Sequence, residues 1–563
     1  MCGIFALLNH IGVYNNDIIE REFLKGQKRG PEMSKLDITL NKNAVLGFHR
    51  LAINGLNTLS NQPFYINDVI LICNGEIYNY KELYNKMAIT PKTNSDCEVI
   101  IHLYEKYGIE QTLQMLDGVF GFILFDTKNN TIFVARDPIG VRPIYGLFGT
   151  ELFGFASELK CLSYFHQMEE KTTIEQFTPG SYSAFNFNSF KWCQSIKNKQ
   201  YYIPTFPYSI TMELTEYFRN IVFHLKSAVV KRCETTDRPV ACLLSGGLDS
   251  SLIAALVSNH FKVKGIQIET YSIGLSESDD IKYARIVAEY IGSKHHEIIV
   301  TEDDMFNAIP EVIEALESYD TTTVRASLGN YLIGKYIAEN SEAKVIFNGD
   351  GSDELLGGYL YMNKCPDDIE FDKETRRLLK DIHLFDVLRS DKSIASNGLE
   401  PRTPFLDRTF VNFVLSIPAH FRNHNNLSNN PEKYLLRTAF NDYFCNSEYD
   451  NIGKNILPDE ILWRRKEAFS DGVTCKERSL FVILQEKIRD QLNKENEVNE
   501  VNEVNEVNEE KFLPYQANIE TEKIYYKQIF DKLYPNCSNV LPYFWMPKYT
   551  TSIDPSARTL ELY

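Results

Sequence analysis

A cysteine at position 2 is the residue of this chain best placed for nucleophilic chemistry. The sequence begins Met1-Cys2-Gly3, and removal of Met1 would give Cys2 a free α-amine beside its thiol. Because an α-amine has a pKa of about 7.7–8.0, much of it can accept the thiol proton near neutral pH. Nucleophile and base would then belong to one residue. Without further support, the simpler interpretation would be an incidental cysteine.

A glycine-rich loop is the second candidate for chemistry. The string Ser-Gly-Gly-Leu-Asp-Ser-Ser at 245–251 follows the apolar run Val240–Leu244 and precedes a helical pattern. Two glycines permit a tight turn with exposed N–H groups, and the start of a helix favours an anion. The loop lacks the P-loop lysine, and Asp249 would repel a bare phosphate, so we expect Asp249 to hold Mg²⁺. A glycine turn with a serine N-cap would explain only part of this string.

The composition is that of a globular protein with several domains. At 563 residues the chain is too long for one core, and domains of ordinary size would number about two to four. The net charge of −17 argues against binding to nucleic acid or to a membrane surface. No apolar run approaches the ~18 residues of a membrane span, and the N-terminus lacks the basic segment of a signal peptide. The 11 cysteines include no CxxC pair, so we expect reduced thiols and a cytoplasmic location.

The elements that position these candidates change character near residue 205. Before it, short apolar runs between turn residues predict strands, with one helical pattern at Cys97–Tyr107. The predicted strands are Gly3–Leu8, Ala44–Leu51, Val69–Cys73, Gly121–Phe125 and Thr131–Ala135.

After residue 205, strands alternate with helices. This alternation predicts a doubly wound α/β sheet, with ligands at the carboxyl ends of its strands. The predicted elements are helix Met212–Lys231, strand Val240–Leu244, helix Ser250–His260, strand Glu269–Gly274, helix Ile281–Ile291, strand Glu297–Val300, helix Asp303–Leu316 and strand Lys344–Phe347.

Two other segments have unusual compositions. The tandem Asn-Glu-Val repeat from Asn496 to Glu510 has high negative charge and little bulk to bury. We expect a disordered low-complexity insertion near 494–510, with a long solvated helix as the alternative. The string His295-His296-Glu297 has no partner at metal-ligand spacing, so we expect these to be residues of a strand edge.

Cys2-Gly3-Ile4, followed in order by the loop at 245–251, resembles the glutamine-hydrolysing asparagine synthetases over nearly the whole chain. The loop alone is similar to the pyrophosphate loop of the ATP pyrophosphatase superfamily, and the strings at 543–548 and 554–560 resemble the eukaryotic branch. The resemblance implies an α+β N-terminal-nucleophile glutaminase domain of stacked antiparallel sheets with helices at 1–190. It implies an α/β doubly wound, mostly parallel-sheet ATP-pyrophosphatase domain at 205–563.

The resemblance assigns a glutaminase site around Cys2, which would attack the side-chain amide of glutamine. Arg50 would clamp the glutamine α-carboxylate, a task suited to the arginine fork, and Asp96 would pair with the α-ammonium. The Asn74 side chain and the Gly75 N–H would form the oxyanion hole. The implied glutamine-binding residues are Arg50, Leu51, Ile53, Asn74, Gly75, Glu76 and Asp96.

The resemblance also assigns a synthetase site in the second domain. Lys466 would be the catalytic lysine, whose charge neutralises the phosphates during adenylation. The implied ATP-binding residues are Leu244, Ser245, Gly246, Gly247, Asp249, Ser250, Ile273, Asn348 and Gly349. Thr322, Thr323 and Arg325 would bind aspartate and the adenylate, with a helix-capping threonine run as the alternative. The implied Mg²⁺ ligands are Asp249 and Asp353.

The function implied is ATP-driven conversion of aspartate to asparagine with nitrogen from glutamine. It would pass through β-aspartyl-AMP, release glutamate, AMP and pyrophosphate, and carry ammonia through an internal channel. Asp350 departs from the family, which has a catalytic glutamate there, and a misplacement of 1 Å can cost about 10²-fold in rate. Two alternatives stay open: a related amide-forming enzyme with another acceptor, as in the β-lactam synthetases, and a catalytically weakened regulatory homologue. A homodimer is one option for the assembly.

Overall fold

The structure, a computed structural model, covers most of the chain. It describes residues 1–38, 43–204, 212–426, 431–441, 455–466, 472–474, 478–502, 519–552 and 554–556, with the backbone alone for 495–502 and 519–520. Among the described helices, none is long and apolar enough to cross a membrane.

The N-terminal unit is built from two antiparallel sheets. Within the described residues each has six strands, in the orders β10-β8-β9-β1-β3-β2 and β12-β11-β7-β6-β5-β4. The strands are β1 Gly3–Leu8, β2 Met33–Asp37, β3 Ala44–Arg50, β4 Phe64–Ile66, β5 Val69–Ile77, β6 Gly118–Asp126, β7 Thr131–Arg136, β8 Tyr145–Phe148, β9 Phe153–Ala156, β10 Thr173–Gln176, β11 Ser181–Asn188 and β12 Lys191–Gln200. The predicted strands of this region are therefore confirmed, and so is the stacked-sheet fold.

Side-chain alternation along the strands explains why the two sheets stack. Ile4 and Ala6 of β1 pack against Ile70 and Ile72 of β5, in a core that lies between the sheets. Because side chains on one face recur every second residue, this row on β5 continues to Asn74. The row on β1 continues backwards to Cys2, which also packs against this core. The pleat thus directs the predicted nucleophile and the predicted oxyanion residue toward the same space.

Helices cover the outer faces of the sheets. They are α1 Asn16–Leu24, α2 Tyr80–Met87, α3 Val99–Met115 and α4 Ser163–Met168. The apolar pattern at Cys97–Tyr107 corresponds to the 3₁₀ turn Asp96–Glu98 and the first half of α3.

The second unit is built on a parallel sheet. Its strand order in the described residues is β15-β14-β13-β16-β17, and every neighbouring pair is parallel. The strands are β13 Val240–Leu243, β14 Glu269–Gly274, β15 Lys294–Ile299, β16 Val345–Phe347 and β17 Glu400–Arg402. Strand order reverses beside β13, and open α/β sheets bind ligands at that point. The loops after β13 and β16 meet there, as the strand-helix alternation predicted.

Helices surround this sheet on both faces. They are α5 Leu214–Glu234, α6 Leu248–Lys262, α7 Asp279–Ile291, α8 Glu302–Asn307, α9 Ile309–Leu316, α10 Thr321–Asn340, α11 Ser352–Leu356, α12 Asp368–Asp381, α13 Asp386–Ala395, α14 Arg408–Ser416, α15 Ala419–Arg422, α16 Tyr434–Ala439, α17 Asp459–Leu462, α18 Leu480–Asn502 and α19 Ile519–Leu533.

Two sequence predictions differ from the observed helices. The single helix predicted at 303–316 is two helices, because Pro310 in the first turn of α9 cannot donate the hydrogen bond that would continue α8. The Asn-Glu-Val repeat is helical through Asn502, at the end of α18, so its first part adopts the helical alternative and not the disordered one. The rest of the repeat lies outside the described residues.

Buried ion pairs join the two units. Arg29 pairs with Glu158 of its own unit at 3.0 Å and with Asp391 of the second unit at 2.8 Å. Arg142 also pairs with Asp391, at 3.2 Å. Because breaking a buried ion pair leaves an uncompensated charge, these contacts hold the units in one arrangement.

Candidate active sites

The thiol of Cys2 lies at the edge of the inter-sheet core. Pairing of Gly3 with His49 places Cys2 beside the end of β3, and its Sγ donates to the carbonyl of Leu51 at 3.5 Å. Burial raises the pKa of this thiol to about 11. With Met1 attached the thiol is therefore protonated near neutral pH, and it needs a base to react.

Met1 fills a buried position between the two units. The residue is 1% exposed, and its α-amine donates to the carbonyl of Leu399 at 3.0 Å. Burial lowers the pKa of this amine to about 5. The nitrogen of Cys2 is an amide as long as Met1 is attached, so the predicted internal base appears only after Met1 is removed.

Asn74 and Gly75 follow Cys73 on β5, where the sequence placed the oxyanion hole. Asn74 is fully buried, and its Nδ2 donates a long hydrogen bond of 3.4 Å to Ser157. Its Oδ1 has no partner within the described part of the chain. At Gly75 a Cβ would lie 2.4 Å from the carbonyl oxygen of Val119, so only glycine fits against β6.

Arg50 is fixed at the end of β3 by backbone carbonyls of the following loop. Its guanidinium donates to the carbonyls of Asn57 at 3.0 Å and Gly55 at 2.5 Å, and to Asn61 Oδ1 at 2.5 Å. The side chain is thus pre-positioned, as a carboxylate clamp requires.

Asn54 brings two other predicted glutamine ligands together. Its Nδ2 donates to Glu76 at 2.5 Å and to Asp96 at 3.3 Å. Burial raises the pKa of Asp96 to about 6, although the N–H of Ile77 donates to this carboxylate at 2.6 Å. Burial and the neighbouring Asp96 also raise the pKa of Glu76. Two buried carboxylates held this close form a site that favours a cation such as an α-ammonium.

The loop after β13 makes a tight glycine turn directly before a helix, which is the backbone arrangement that a phosphate cradle would need. Gly246 has a left-handed backbone with φ of 71°, and a Cβ there would lie 2.4 Å from Tyr283. Ser245 Oγ and Ser250 Oγ lie 3.0 Å apart across the turn. Helix α6 begins at Leu248, so its first N–H groups face the cavity beyond the loop.

One cavity at the carboxyl edge of the parallel sheet collects most of the predicted synthetase residues. The lining residues that the sequence had assigned are Leu244, Ser245, Gly247, Asp249, Ser250, Ile273, Thr322, Asn348, Gly349, Asp350, Asp353 and Lys466. In the first domain, two of the predicted glutamine-binding residues, Leu51 and Ile53, pack in a core shared with α5 and α6.

Two carboxylates and two ammonium groups form a chain of ion pairs in this cavity. Lys433 Nζ lies 2.5 Å from Asp249 Oδ2 and 2.5 Å from Asp353 Oδ1. Lys466 Nζ lies 2.5 Å from Asp353 Oδ2. Burial alone would raise the pKa of Asp353, but the two lysines outweigh it and hold that pKa well below its ordinary value. The site therefore balances its own charge.

Asp350 is held by a neighbouring arginine. Arg389 Nη2 donates to Asp350 Oδ1 at 3.1 Å, and Arg389 Nε donates to Asp386 at 3.0 Å. Asp350 Oδ2 is buried and has no hydrogen-bond partner among the residues described. Tyr359 donates to Glu354 at 2.5 Å and to Asp386 at 3.2 Å, which extends this polar network along the cavity wall.

The structure separates the three residues predicted to bind aspartate and the adenylate. Thr322 lines the cavity, and its Oγ1 is buried without a partner in the described structure. Thr323 instead takes part in the N-cap of α10, where the capping residue Asp320 accepts from both its N–H and its hydroxyl. Arg325 binds Glu522 at 2.8 Å and Asp554 at 2.8 Å, both buried. Its guanidinium is therefore engaged away from the cavity, and the helix-cap alternative holds for Thr323.

Sequence reasoning missed several residues of this cavity. Lys433, Tyr359, Asp386 and Arg389 line it, but none follows a strand, and only Tyr359 stands beside glycines, at Gly357-Gly358. Lys433 precedes α16, and Asp386 and Arg389 lie in the first turns of α13. The glycine pair before Tyr359 was the one local signal available, and tertiary packing brings the other three residues to the site.

Arg402 contacts residues of both sites. Arg402 of β17 lies 3.5 Å from the Glu76 carboxylate, and its carbonyl accepts from the N–H of Asn348 at 3.1 Å. The edge strand of the parallel sheet thus connects the glutaminase pocket to the loop that carries Asp350.

Comparisons with known proteins agree with this two-site geometry. Residues 1–203 match the family described as a glutamine amidotransferase domain, and residues 223–370 and 363–549 match the family described as asparagine synthase. Proteins named asparagine synthetase (glutamine-hydrolyzing) from Cricetulus griseus and Gallus gallus are 40% identical, over 100% of this chain and 99% of each relative. The protein of that name from Homo sapiens is 39% identical over the same shares.

A solved structure described as the allosteric regulatory enzyme of purine biosynthesis aligns with 53% of this chain and 80% of its own, at 15% identity and a TM-score of 0.31.

Fold and site define an amidotransferase, in which a glutamine-hydrolysing domain is joined to an ATP-dependent synthase domain. Within that class, the chain belongs to the glutamine-hydrolysing asparagine synthetases. Glutamine is its amido donor, and glutamine, aspartate and ATP are its substrates.

Proposed function

We propose that this enzyme forms asparagine through a β-aspartyl-AMP intermediate and releases glutamate, AMP and pyrophosphate. The observation that carries the proposal is the cavity in which the phosphate-cradle loop, Asp249, Asp353 and Lys466 converge. Adenylation of a carboxylate expels pyrophosphate, and this cavity offers N–H groups and cations for that leaving group.

Cys2 performs the glutaminase reaction once its α-amine is free. The amine takes the thiol proton, and the thiolate attacks the side-chain amide of glutamine. Asn74 Nδ2 and the Gly75 N–H stabilise the oxyanion. Arg50 binds the α-carboxylate of glutamine, and Asp96 binds its α-ammonium. A γ-glutamyl thioester forms, ammonia leaves, and water releases glutamate.

The residues of the cavity fit a Mg²⁺ ion. Asp249 and Asp353 approach one another closely enough to share the ammonium of Lys433, and carboxylate oxygens are the ligands that Mg²⁺ prefers. When bound there, the ion would neutralise phosphate charge. Lys466 stabilises the leaving pyrophosphate, and Asp350 supports formation of the adenylate.

Ammonia passes from one site to the other inside the protein. Free ammonia in water would become ammonium, which is not a nucleophile, so an enclosed route preserves its reactivity. The contacts of Arg402 with Glu76 and with the backbone of Asn348 support a route along β17. We also assign the enzyme to the cytoplasm, since the cysteines of the described residues are free thiols.

A Cys2→Ala variant tests the two-site assignment. It should lose glutamine-driven synthesis and keep ammonia-driven synthesis, with AMP, pyrophosphate and asparagine measured together. Equal loss of both activities would contradict the division of labour. Pyrophosphate release with aspartate but without asparagine would indicate a different acceptor, and no release at all would indicate a regulatory homologue.

A further inference from the structure

Lys433 occupies an unusual position between the two carboxylates of the ATP cavity. Lys433 is 3% exposed, and its Nζ lies 2.5 Å from Asp249 and 2.5 Å from Asp353. Lys466, by comparison, contacts Asp353 on its other oxygen, Oδ2. The Lys433 ammonium therefore bridges the two predicted metal ligands, and the Lys466 ammonium lies to one side.

The backbone at Lys433 shows that this position is imposed on the chain. Lys433 has φ of 58° and ψ of 30°, in the left-handed region, just before α16. A side chain there costs free energy that glycine would avoid, and its side chain makes no cap hydrogen bond in return. Residues held in this region persist when the surrounding structure fixes them, and they cluster at active sites and ligand clamps.

Gly358 makes room for the lysine side chain. A Cβ at Gly358 would lie 2.0 Å from Lys433 Cε and 2.2 Å from Asp353 Oδ1. The stem of Lys433 thus runs through a gap that exists because position 358 is glycine. Backbone strain, the glycine gap and the bridging ammonium are three separate observations on one side chain.

We propose that Lys433 is the resident counter-ion of the Asp249–Asp353 pair, and that it yields this position to the divalent cation that arrives with ATP. Its ammonium then turns to the phosphate oxygens of the nucleotide. The inference rests on the proposed ATP and Mg²⁺ site. Its consequence is ordered binding, because a divalent cation alone must displace an ammonium and gains no phosphate ligand for doing so.

Binding of Mn²⁺ alone, followed by electron paramagnetic resonance on the full chain, tests the proposal. Lys433→Met should bind Mn²⁺ about tenfold more tightly than wild type or better, because Asp249 loses its ammonium partner and Asp353 keeps only Lys466. Lys433→Arg keeps the cation and should resemble wild type. The double variant Lys433→Met/Asp249→Asn should lose the gain. Equal Mn²⁺ affinity in Lys433→Met and wild type would overturn the proposal, as would an equal gain in Lys433→Arg.

A non-hydrolysable ATP analogue added with Mn²⁺ should reverse the order of affinity. Lys433→Met then lacks a phosphate contact and should bind the pair more weakly than wild type, and tighter binding would contradict the transfer to phosphate. Circular dichroism and the thermal unfolding midpoint of the full chain, together with glutaminase activity, establish that each variant is folded. If Lys433→Met fails this control, Lys433→Gln replaces it with the same expected order. Because Mn²⁺ binding needs neither aspartate nor glutamine, its result is separate from whether the enzyme makes asparagine.

Discussion

The two catalytic regions manage charge in opposite ways. Around Cys2 the groups that would touch the reacting amide are neutral: a thiol, the Asn74 amide and a backbone N–H. In the ATP cavity, by contrast, the charged groups form a network of ion pairs among Asp249, Asp353, Lys433 and Lys466. The difference follows from the substrates, since an amide needs an activated nucleophile and a triphosphate needs its charge compensated.

This contrast determines how each region is kept inactive. The first is limited by one proton, because the Cys2 thiol has a pKa of about 11 and its base is absent until Met1 is removed. The second is limited by its own ion pairs, which must open when the nucleotide enters. A change at a single atom should therefore matter most in the first region.

Retention of Met1 should produce the largest effect. A protein made with a cleavable N-terminal tag, whose removal exposes Cys2, can be assayed before and after cleavage. The uncut form lacks the amine base, and its glutamine hydrolysis should be slower by about 10²–10⁴-fold. Ammonia-driven synthesis should be the same in both forms. Intact mass establishes which form is present, and equal glutaminase rates would show that the α-amine is not the base.

Replacing Lys466 should slow the synthetase reaction of the second region, with a smaller effect than retention of Met1 has on the first. Lys466→Met removes a cation that contacts Asp353 at 2.5 Å, and ammonia-driven asparagine formation should fall by about 10²–10³-fold. Glutaminase activity should stay within about twofold, since the ion pairs of the two regions are separate. Lys364 offers a matched Lys→Met control. Its neighbour Asn363 forms a side-chain hydrogen bond with His424. A similar loss in that control would point to a general effect on folding.

Asp350→Glu should raise the rate of asparagine synthesis in the second region. Arg389 holds Oδ1 at 3.1 Å while Oδ2 has no partner within the described residues, so the carboxylate is one methylene short of where a glutamate would reach. If that misplacement limits the rate, the substitution should raise ammonia-driven synthesis by about tenfold, within the range that 1 Å can cost. Asp350→Asn should lower it. A slower Asp350→Glu enzyme would show that the chain has adjusted its backbone around the aspartate.

Much of this architecture was predictable because its causes are local. Alternation of apolar residues gave the stacked strands, and loops at the ends of β13 and β16 identified the ATP cavity. Local signals failed where long side chains meet distant elements. Arg325 lies one turn beyond Thr322, yet its guanidinium binds Glu522 on α19 and Asp554 near the C-terminus. Lys433 reaches the cavity through a strained backbone and a gap at Gly358, and neither is visible in the order of residues.

The smallest effect we expect is a pH dependence confined to the first region. Burial raises the pKa of Asp96 to about 6, above its ordinary value, so Asp96 is ionised above that pH and loses its charge below it. Protonation of the Cys2 α-amine already lowers kcat/KM for glutamine hydrolysis below about pH 8. Since only ionised Asp96 pairs with the glutamine α-ammonium, kcat/KM should fall about tenfold more per pH unit below pH 6, as a second acid limb. Asp96→Asn should have a low kcat/KM without this acid limb. If the limb persists in Asp96→Asn, a group other than Asp96 controls glutamine binding, and Glu76, which shares the Asn54 side chain with it, becomes the candidate.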